Sequence, residues 1–392
     1  MTIQFDPRSP DFRRDPYPYY DLLRSAAPVF YWEAWNIFFL TRHADCSEFL
    51  RDNRLAHGNM GEPSPEPRPL FDMQSNWMLF KNPPDHTRLR SLVHKAFTPR
   101  MVEQLRGIIQ AITDQLLDQV QANGQMDLIA ALAYPLPVTA IAEMLGVPEE
   151  DRHTFHEWSD ALARSLDLTE DPAVYERANR AAATFTLYLR ELANRRRVEP
   201  RNDLISALVA VEEAGDHLTE AELYGTCSLL LIAGHETTIN LIGNGTLALL
   251  QHPDQLRLLQ QNPALLKAAV EELLRYDSPV QMTSRVALET VEIHGQTVQP
   301  GQQVSFMLGA ANRDPAVFAN PHGLDVTRKN NPHLALGSGI HYCLGAPLAR
   351  LEGQIAIETL LRRMPNLALA TATPVYRDNY VLRGLEALAV TF

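Results

Sequence analysis

Leu336-Gly337-Ser338-Gly339-Ile340-His341-Tyr342-Cys343-Leu344-Gly345 puts three glycines and one cysteine into ten residues, and Pro347 follows closely. The next segment, Leu348-Ala349-Arg350-Leu351-Glu352-Gly353-Gln354-Ile355, is apolar at 348, 351 and 355, which is helical spacing. Proline is tolerated in the first turn of a helix, where its missing N–H would be unpaired anyway. Cys343 is therefore expected at the mouth of a helix, at the end of a flexible loop. A helix N-terminus carries partial positive charge and orphan N–H groups, which favour a thiolate over a thiol. Glycines let backbone approach a large flat ligand and point amides at sulfur.

Three chemistries fit a cysteine so placed. A buried free thiol in a glycine loop is the common fate of a lone cysteine. Zinc wants four ligands, of which His341 and Cys343 supply only two. Haem iron takes a thiolate as axial ligand, and the thiolate favours O–O cleavage by pushing electron density onto the metal. The full spacing Gly-x-Gly-x-His-x-Cys-x-Gly closely resembles the haem-binding loop of the cytochrome P450 family, the haem-thiolate monooxygenases. One position departs from the family pattern: Phe is usual seven residues before the cysteine, and here that residue is Leu336. The departure concerns the packing around the sulfur, not the ligand. The resemblance implies haem b (iron protoporphyrin IX) as cofactor and Cys343 as its metal ligand.

The chain has 392 residues, 45% of them hydrophobic, which is ample for a large core. Length alone would allow two or three domains. No repeat, low-complexity tract or long Gly/Ser linker divides the chain, so residues 1–392 are read as a single domain. The formal net charge of −12 argues against nucleic acid as a partner, since phosphate binding needs basic surface. Cys46, Cys227 and Cys343 are odd in number and far apart. They make no disulfide framework, and a reducing cytoplasm is the expectation. Residues 1–8 have no apolar core or cleavage signal, and no run reaches the ~18 apolar residues of a membrane span. Membrane-bound relatives in the resembled family carry an N-terminal anchor, so the soluble bacterial type is expected.

Residues 29–32 and 37–40 read as strands with a turn through Asn36, followed by a short helix at 42–51. The segment 58–69 contains Gly58, Gly61, Pro63, Pro65, Pro67 and Pro69. So long an irregular stretch is usually functional or mobile; a plain surface loop is the rival reading. The resemblance places it over the haem, against substrate. Asp85 can cap a helix beginning near His86, on which His86 and Arg90 share a face. Two such donors suit a carboxylate or phosphate, or form a solvated polar stripe. The resemblance implies that both hold a haem propionate. Helical spacing recurs over 102–122, 136–145, 151–164, 172–197 and 203–214, and the family suggests a lid at 165–171.

Thr219-Glu220-Ala221-Glu222 matches a capping box. The helix it starts is expected to run to about 250 and is apolar nearly all round, hence buried. Ala233-Gly234-His235-Glu236-Thr237-Thr238 interrupts it. Buried polar groups are costly unless paired, and glycine in a helix costs about 0.5–1 kcal/mol relative to alanine. Gly234 and Thr237 are three apart and can open a groove beside a hydroxyl. A kinked core helix with back-bonded threonines explains the same residues. The segment resembles the family's oxygen-activation motif, which implies that Glu236 and Thr237 deliver protons while O2 is activated.

Glu272-Leu273-Leu274-Arg275 holds a Glu-x-x-Arg pair, commonplace on helix surfaces, and Glu271 is a second possible partner of Arg275. By position Glu272 and Arg275 match the family's structural motif. That motif often adds a basic residue where this chain has Gly323, in Pro321-His322-Gly323-Leu324. Either His322 substitutes or the triad is incomplete. Strands are expected over 280–288, which includes Arg285, then at 291–293 and 297–298 around a His294-Gly295 turn, at 304–306 and at 385–392. Arg285 matches the family arginine that meets a haem propionate; a surface strand arginine is its rival. Asn312-Arg313-Asp314-Pro315 and Asp325-Val326-Thr327-Arg328 also look like the bacterial family's approach to the cysteine loop.

The resemblance spans essentially the whole chain. It implies a mainly α fold with a smaller β region, the cytochrome P450 fold, and insertion of one oxygen atom from O2 into an apolar small molecule. Hydroxylation or epoxidation of a polyketide, macrolide, terpenoid, steroid or fatty acid is the expected reaction. Cys343 would bind iron; His86, Arg90, Arg285 and His341 would hold propionates; Met78, Leu79, Ala233, Val280 and Leu382 would line the substrate pocket. A peroxide-driven peroxygenase and a non-catalytic haem sensor or carrier are the alternatives, and neither needs both Glu236 and Thr237. A monomer served by a ferredoxin-type electron donor is expected. Residues 81–100 hold Lys81, Arg88, Arg90, Lys95 and Arg100 against Asp85, and Arg350, Arg362 and Arg363 follow the cysteine. Together they would offer an acidic donor a basic docking face.

Overall fold

Thr219 and Glu222 exchange the two hydrogen bonds of a capping box: Thr219 N–H donates to Glu222 Oε2 at 2.9 Å, and Glu222 N–H to Thr219 Oγ1 at 3.3 Å. They open helix Glu220–Gln251, the longest in the computed structural model, which describes residues 6–7, 9–58, 68–166, 171–213, 215–371 and 374–392. At ~1.5 Å per residue the helix is about 48 Å long. Leu223, Leu231, Ile232, Ile239, Leu241, Ile242 and Leu247 are buried along it, as its all-round apolarity requires. No described helix is long and apolar enough to cross a membrane.

The chain forms two compact units. Residues 1–56, 113–133 and 237–392 make the first, and residues 57–112 and 134–236 the second. The first unit holds a five-stranded sheet. Val29–Trp32 and Ile37–Leu40 pair antiparallel, with Asn36 between them in the left-handed region at φ +54. Ile37–Leu40 then pairs parallel with Gln303–Phe306, which pairs antiparallel with Thr283–Ala287, and that strand with Leu55–Ala56. Alternation along Ile37–Leu40 sends Phe38 and Leu40 into one core and Ile37 and Phe39 into another. Both faces are covered, so the strand reads as an unbroken apolar run. Val291–Ile293 and Gln296–Val298 form the expected hairpin. His294 and Gly295 both have positive φ, as a two-residue type I′ turn demands.

Helix Ala346–Arg363 packs tightly in the same unit. A Cβ on Gly353 would come within 2.9 Å of Leu241 Cδ2, on the long helix. Glu272 and Arg275, on helix Leu266–Tyr276, are fully buried and doubly bonded, with Arg275 Nε and Nη2 donating to Glu272 at 2.7 and 2.8 Å. Arg275 also donates to the carbonyls of Asn312, Pro321 and Gly323. The third basic partner is neither His322 nor missing. Arg328 Nε donates to Glu272 Oε2 at 2.9 Å, whereas His322 points to Asp21.

The second unit is largely helical: Asp85–Ala96, Pro99–Gln104, Pro135–Leu145, Arg152–Ala163, Pro172–Val198, Leu204–Ala210 and the first half of the long helix. Three sequence expectations are revised. Asp85 makes no capping bond and is the first residue of its helix, after Pro84. The helix expected over 102–122 breaks at Leu105, where Pro99–Gln104 gives way to Arg106–Asp118. The helix expected to 214 stops at Ala210, and Glu212–Glu213 pairs with Asp216–His217 instead. Most of the irregular segment 58–69, and 167–170 of the expected lid, lie outside the described residues. The mainly α fold with a smaller sheet region is the one expected.

The clamp on Glu272 makes a graded stability prediction for urea unfolding. Glu272→Gln strands a buried guanidinium and should cost about 3–5 kcal/mol. Arg328→Ala removes one charged hydrogen bond and should cost about 1–3 kcal/mol. His322→Ala breaks only a half-exposed pair and should stay within about 0.5 kcal/mol. Equal losses for Arg328→Ala and His322→Ala would refute the assignment of the third partner.

Candidate active site

In the first unit, the loop before helix Ala346–Arg363 is held at both ends. Gly337 and Gly339 sit at φ +72 and +70, where a side chain is strained. Cys343 N–H donates to Leu336 O at 2.9 Å, closing the loop on itself. A Cβ on Gly339 would lie 2.9 Å from Leu50 O, and Arg51 Nε donates to Ser338 Oγ at 2.8 Å. Upstream, Leu334 N–H donates to Asn312 Oδ1 at 2.6 Å. Cys343 and His341 are half-buried, and the helix starts three residues after the cysteine. Cys343 therefore stands where the sequence places it, at a helix mouth on a loop that two glycines allow to turn.

Arg285 tests whether the site fits haem. It is buried on strand Thr283–Ala287. Its guanidinium meets Thr283 Oγ1 at 3.3 Å and Ser284 O at 2.8 Å, and among the described residues no carboxylate pairs with it. Burial pulls its pKa down to about 10. A buried cation without a counter-ion is expensive, and the carboxylate of a propionate is the group it lacks. The donor set therefore fits haem. Val280 and Leu382 come together through an antiparallel bridge, both half-buried. Thr237 is half-buried, while its neighbour Thr238 is buried and hydrogen-bonded to Glu352.

The other candidates belong to the second unit. His86 is buried and Arg90 half-buried on helix Asp85–Ala96. Met78 is buried and Leu79 half-buried in the turn Met78–Phe80. On the long helix, burial lapses at the polar interruption: Ala233 is exposed, and Gly234 and Glu236 are half-buried. His235 is the exception, fully buried with Ser159 Oγ 2.8 Å from its Nδ1. Gly234 serves close packing, since a Cβ there would lie 2.8 Å from Ile141 Cδ1. Its missing side chain is matched by Ile141, not by the groove expected beside Thr237.

Sequence reasoning missed two features. Glu352 is buried on helix Ala346–Arg363, and its Oε1 has no partner among the described residues. Burial pushes its carboxyl up to about 8, with the Thr238 hydrogen bond pulling the other way. Its buried position in the helix 346–355 pattern was the available signal. Glu271 does not pair with Arg275; Arg350 grips it at 2.6 and 2.8 Å and His333 at 3.1 Å. Burial raises the Glu271 pKa, but these hydrogen bonds prevail and bring it down to about 2. The basic docking face is thereby reduced. Arg350 is neutralised by Glu271, Arg363 by Asp114 and Asp118, and Arg88 by Glu222 and Asp216.

A family model described as cytochrome P450 matches residues 29–366. The chain is 46% identical over 398 residues to the biotin biosynthesis cytochrome P450 of Bacillus subtilis (strain 168), with 100% of each chain covered. It is 43% identical to the polyketide biosynthesis cytochrome P450 PksS of the same organism, with 99% of this chain and 98% of that one covered. Among solved structures, it is similar to P450BioI in complex with hexadec-9Z-enoic acid ligated acyl carrier protein. There the TM-score is 0.93 and the identity 45%, with 98% and 99% of the two chains covered.

Glu352 gives a pH signature that can be measured without turnover. Its folded-state pKa of about 8 lies above the ordinary 4.5, so unfolding releases a proton between those values. Stability from this group is full below about pH 4.5 and is lost as pH rises towards 8, by up to a few kcal/mol. Glu352→Gln keeps the shape and cannot ionise. It should flatten the decline in urea-unfolding free energy between pH 5 and 8. An identical slope in wild type and variant would show that Glu352 is not held protonated.

Proposed function

The chain belongs to the cytochrome P450 family, and on that premise we propose its substrate class, its electron donor and the roles of its site residues. The family binds haem b through a thiolate and uses O2 with a redox partner to incorporate oxygen. We infer that this enzyme oxygenates a small molecule with an extended aliphatic chain, of fatty-acid or polyketide type. Support comes from the names of its relatives, one for biotin and one for polyketide biosynthesis, and from the fatty-acyl group in a similar structure. Macrolide, terpenoid and steroid substrates are ranked behind it.

The observation that carries the reading is the lapse of burial at Ala233, Gly234, Glu236 and Thr237 in an otherwise buried helix, with a carboxylate and a hydroxyl adjacent. Haem, when bound, supplies the iron that binds and cleaves O2. Cys343 Sγ would be its ligand, and Arg285, His341, His86 and Arg90 would hold its propionates. The Thr237 hydroxyl would supply a proton where O2 is reduced, and the Glu236 carboxylate would link that hydroxyl to water. Ala233, Met78, Leu79, Val280 and Leu382 offer the aliphatic chain apolar surface and keep water out. Both units work as one P450 domain, acting as a cytoplasmic monomer. The donor is a ferredoxin, met by cations such as the exposed Arg100 and Arg362.

Turnover of hexadec-9Z-enoic acid with ferredoxin, its reductase and O2 should exceed turnover with peroxide alone; the reverse would make the enzyme a peroxygenase, and neither would make it a carrier. General acid assistance is worth ~10²–10⁴-fold in rate. Thr237→Ala should therefore retain haem and the substrate-induced spectral shift, yet yield less product and more peroxide per reducing equivalent. Thr238→Ala should instead lower stability, by stranding Glu352. Equal coupling in wild type and Thr237→Ala would remove that hydroxyl from the proton path.

A further inference from the structure

The bridge between Val280 and Leu382 is an isolated one, outside the named strands. Gln281 N–H donates to Val381 O at 2.8 Å, and Arg383 N–H to Pro279 O at 2.9 Å. Those two bonds flank Val280 and Leu382 and make them a non-hydrogen-bonded pair, in which Cα atoms stand only about 4.5 Å apart. The two apolar side chains therefore form one small wall. A ribbon of one bridge does not hold its own position, since even a two-stranded hairpin is marginal in water. Its place must be set from behind.

Alternation along an extended chain turns Gln281 and Arg383 away from that wall, and both are clamped by the N-terminal segment. Gln281 Oε1 accepts from Tyr20 Oη at 2.8 Å, and Gln281 Nε2 donates to Ser278 O at 2.8 Å. A Cβ on Gly309 would overlap the same amide. Arg383 Nε donates to Asp277 Oδ1 at 2.8 Å, and its two terminal nitrogens donate to the carbonyls of Arg13 and Arg14. Those carbonyls end helix Pro10–Arg14, where a helix offers them no partner of its own. Asp277 Oδ1 also accepts from Tyr17 Oη at 2.7 Å, and the Arg383 guanidinium lies over the Tyr376 ring, 3.7 Å from its centroid. Tyr17, Tyr20, Asp277, Gln281 and Arg383 are at most 7% exposed. A buried ion pair adds little net stability, and its use is to specify one conformation. Here the conformation specified is that of the wall.

An aliphatic chain carries too few polar groups for hydrogen bonds to select one carbon, so the shape of the wall must select it. Misplacing a reacting atom by about 1 Å can cost ~10²-fold in rate. We propose that Gln281 and Arg383, with Tyr20 and Asp277 behind them, are positioning residues that fix where Val280 and Leu382 stand and thereby which carbon of the chain is oxygenated. Residues 13–20 thus acquire a part in regioselectivity. The proposal rests on the reading of Val280 and Leu382 as substrate residues.

Tyr20→Phe removes one hydroxyl, and Arg383→Lys keeps the charge but cannot reach Asp277 and both carbonyls. In each haem-loaded variant, without substrate, the Gln281 and Arg383 amide hydrogens that close the bridge should exchange about ten-fold faster or more than in wild type. With hexadec-9Z-enoic acid as probe, the ratio of its oxygenated regioisomers should change about three-fold or more, with haem content unchanged. Arg328→Ala loosens the chain elsewhere and is the control: it should leave the product ratio alone and quicken those two amides less. Unchanged exchange in both brace variants overturns the proposal, as does an equal change in Arg328→Ala. A product ratio that moves in Val280→Ala but in neither brace variant overturns it while leaving the substrate reading intact. A ratio unmoved by Val280→Ala, or a probe that is not oxygenated at all, removes the substrate reading beneath the proposal.

Discussion

Two consecutive carboxylates on helix Leu266–Tyr276 hold the surroundings of Cys343 in place. Glu272 accepts from Arg275, Arg328, Asn331 Nδ2 and the N–H of Asp325, while Arg275 reaches the carbonyls of Asn312, Pro321 and Gly323. The chain from 312 to 331 has almost no regular secondary structure, so side chains must satisfy and pin its backbone. Glu271 takes the next stretch, binding His333 before the cysteine and Arg350 after it. A loop without a sheet or helix of its own thereby acquires a fixed geometry. Buried ion pairs of this kind contribute little net stability compared with apolar packing, and removing one partner is strongly destabilising. Their use here is to specify one conformation.

How far the sequence discloses the fold follows from how local each determinant is. The capping box at Thr219, the His294-Gly295 turn and the alternation of Ile37–Leu40 are set by neighbours in the chain, and all were legible. The Cys343 loop was legible because its glycines, its proline and the apolar period after it act within twenty residues. Arg328 was not, because it meets Glu272 across 56 positions, and nothing near Gly323 announces it. Arg350 read as a free cation because its partner lies 79 residues away. Asp85 has the right chemistry for a cap, but Pro84 takes the capping position and puts Asp85 in the first turn. The Arg285 reading needed burial as well as pattern, since on an exposed strand the same residue would mean nothing.

The long helix divides its polar residues between two tasks. Glu236 and Thr237 are half-buried beside the exposed Ala233 and flanked by buried apolar turns, which is the arrangement a reacting site needs, while His235 is buried in the core. From Thr238 to Thr246 the polar groups are buried, and each must be bonded, hydrated or, in the case of the carboxyl facing Thr238, kept neutral. A helix stabilised only by packing would carry leucine at these positions, since burying a polar group costs free energy wherever its hydrogen bonds are incomplete. The tight glycine contacts at Gly353 with Leu241 and at Gly384 with Asn240 leave little slack for relaxation. Substitutions at either glycine should therefore be felt along the helix.

All of this bears on function only if Cys343 is the ligand that the loop is shaped to present. The direct measurement is the absorption spectrum of the reduced, CO-bound protein, in wild type and in Cys343→His. A thiolate gives a strongly red-shifted band, which the wild type should show. The histidine variant should retain some haem and lose the band. An unshifted band in the wild type, or the same red-shifted band in Cys343→His, would contradict the assignment of the sulfur.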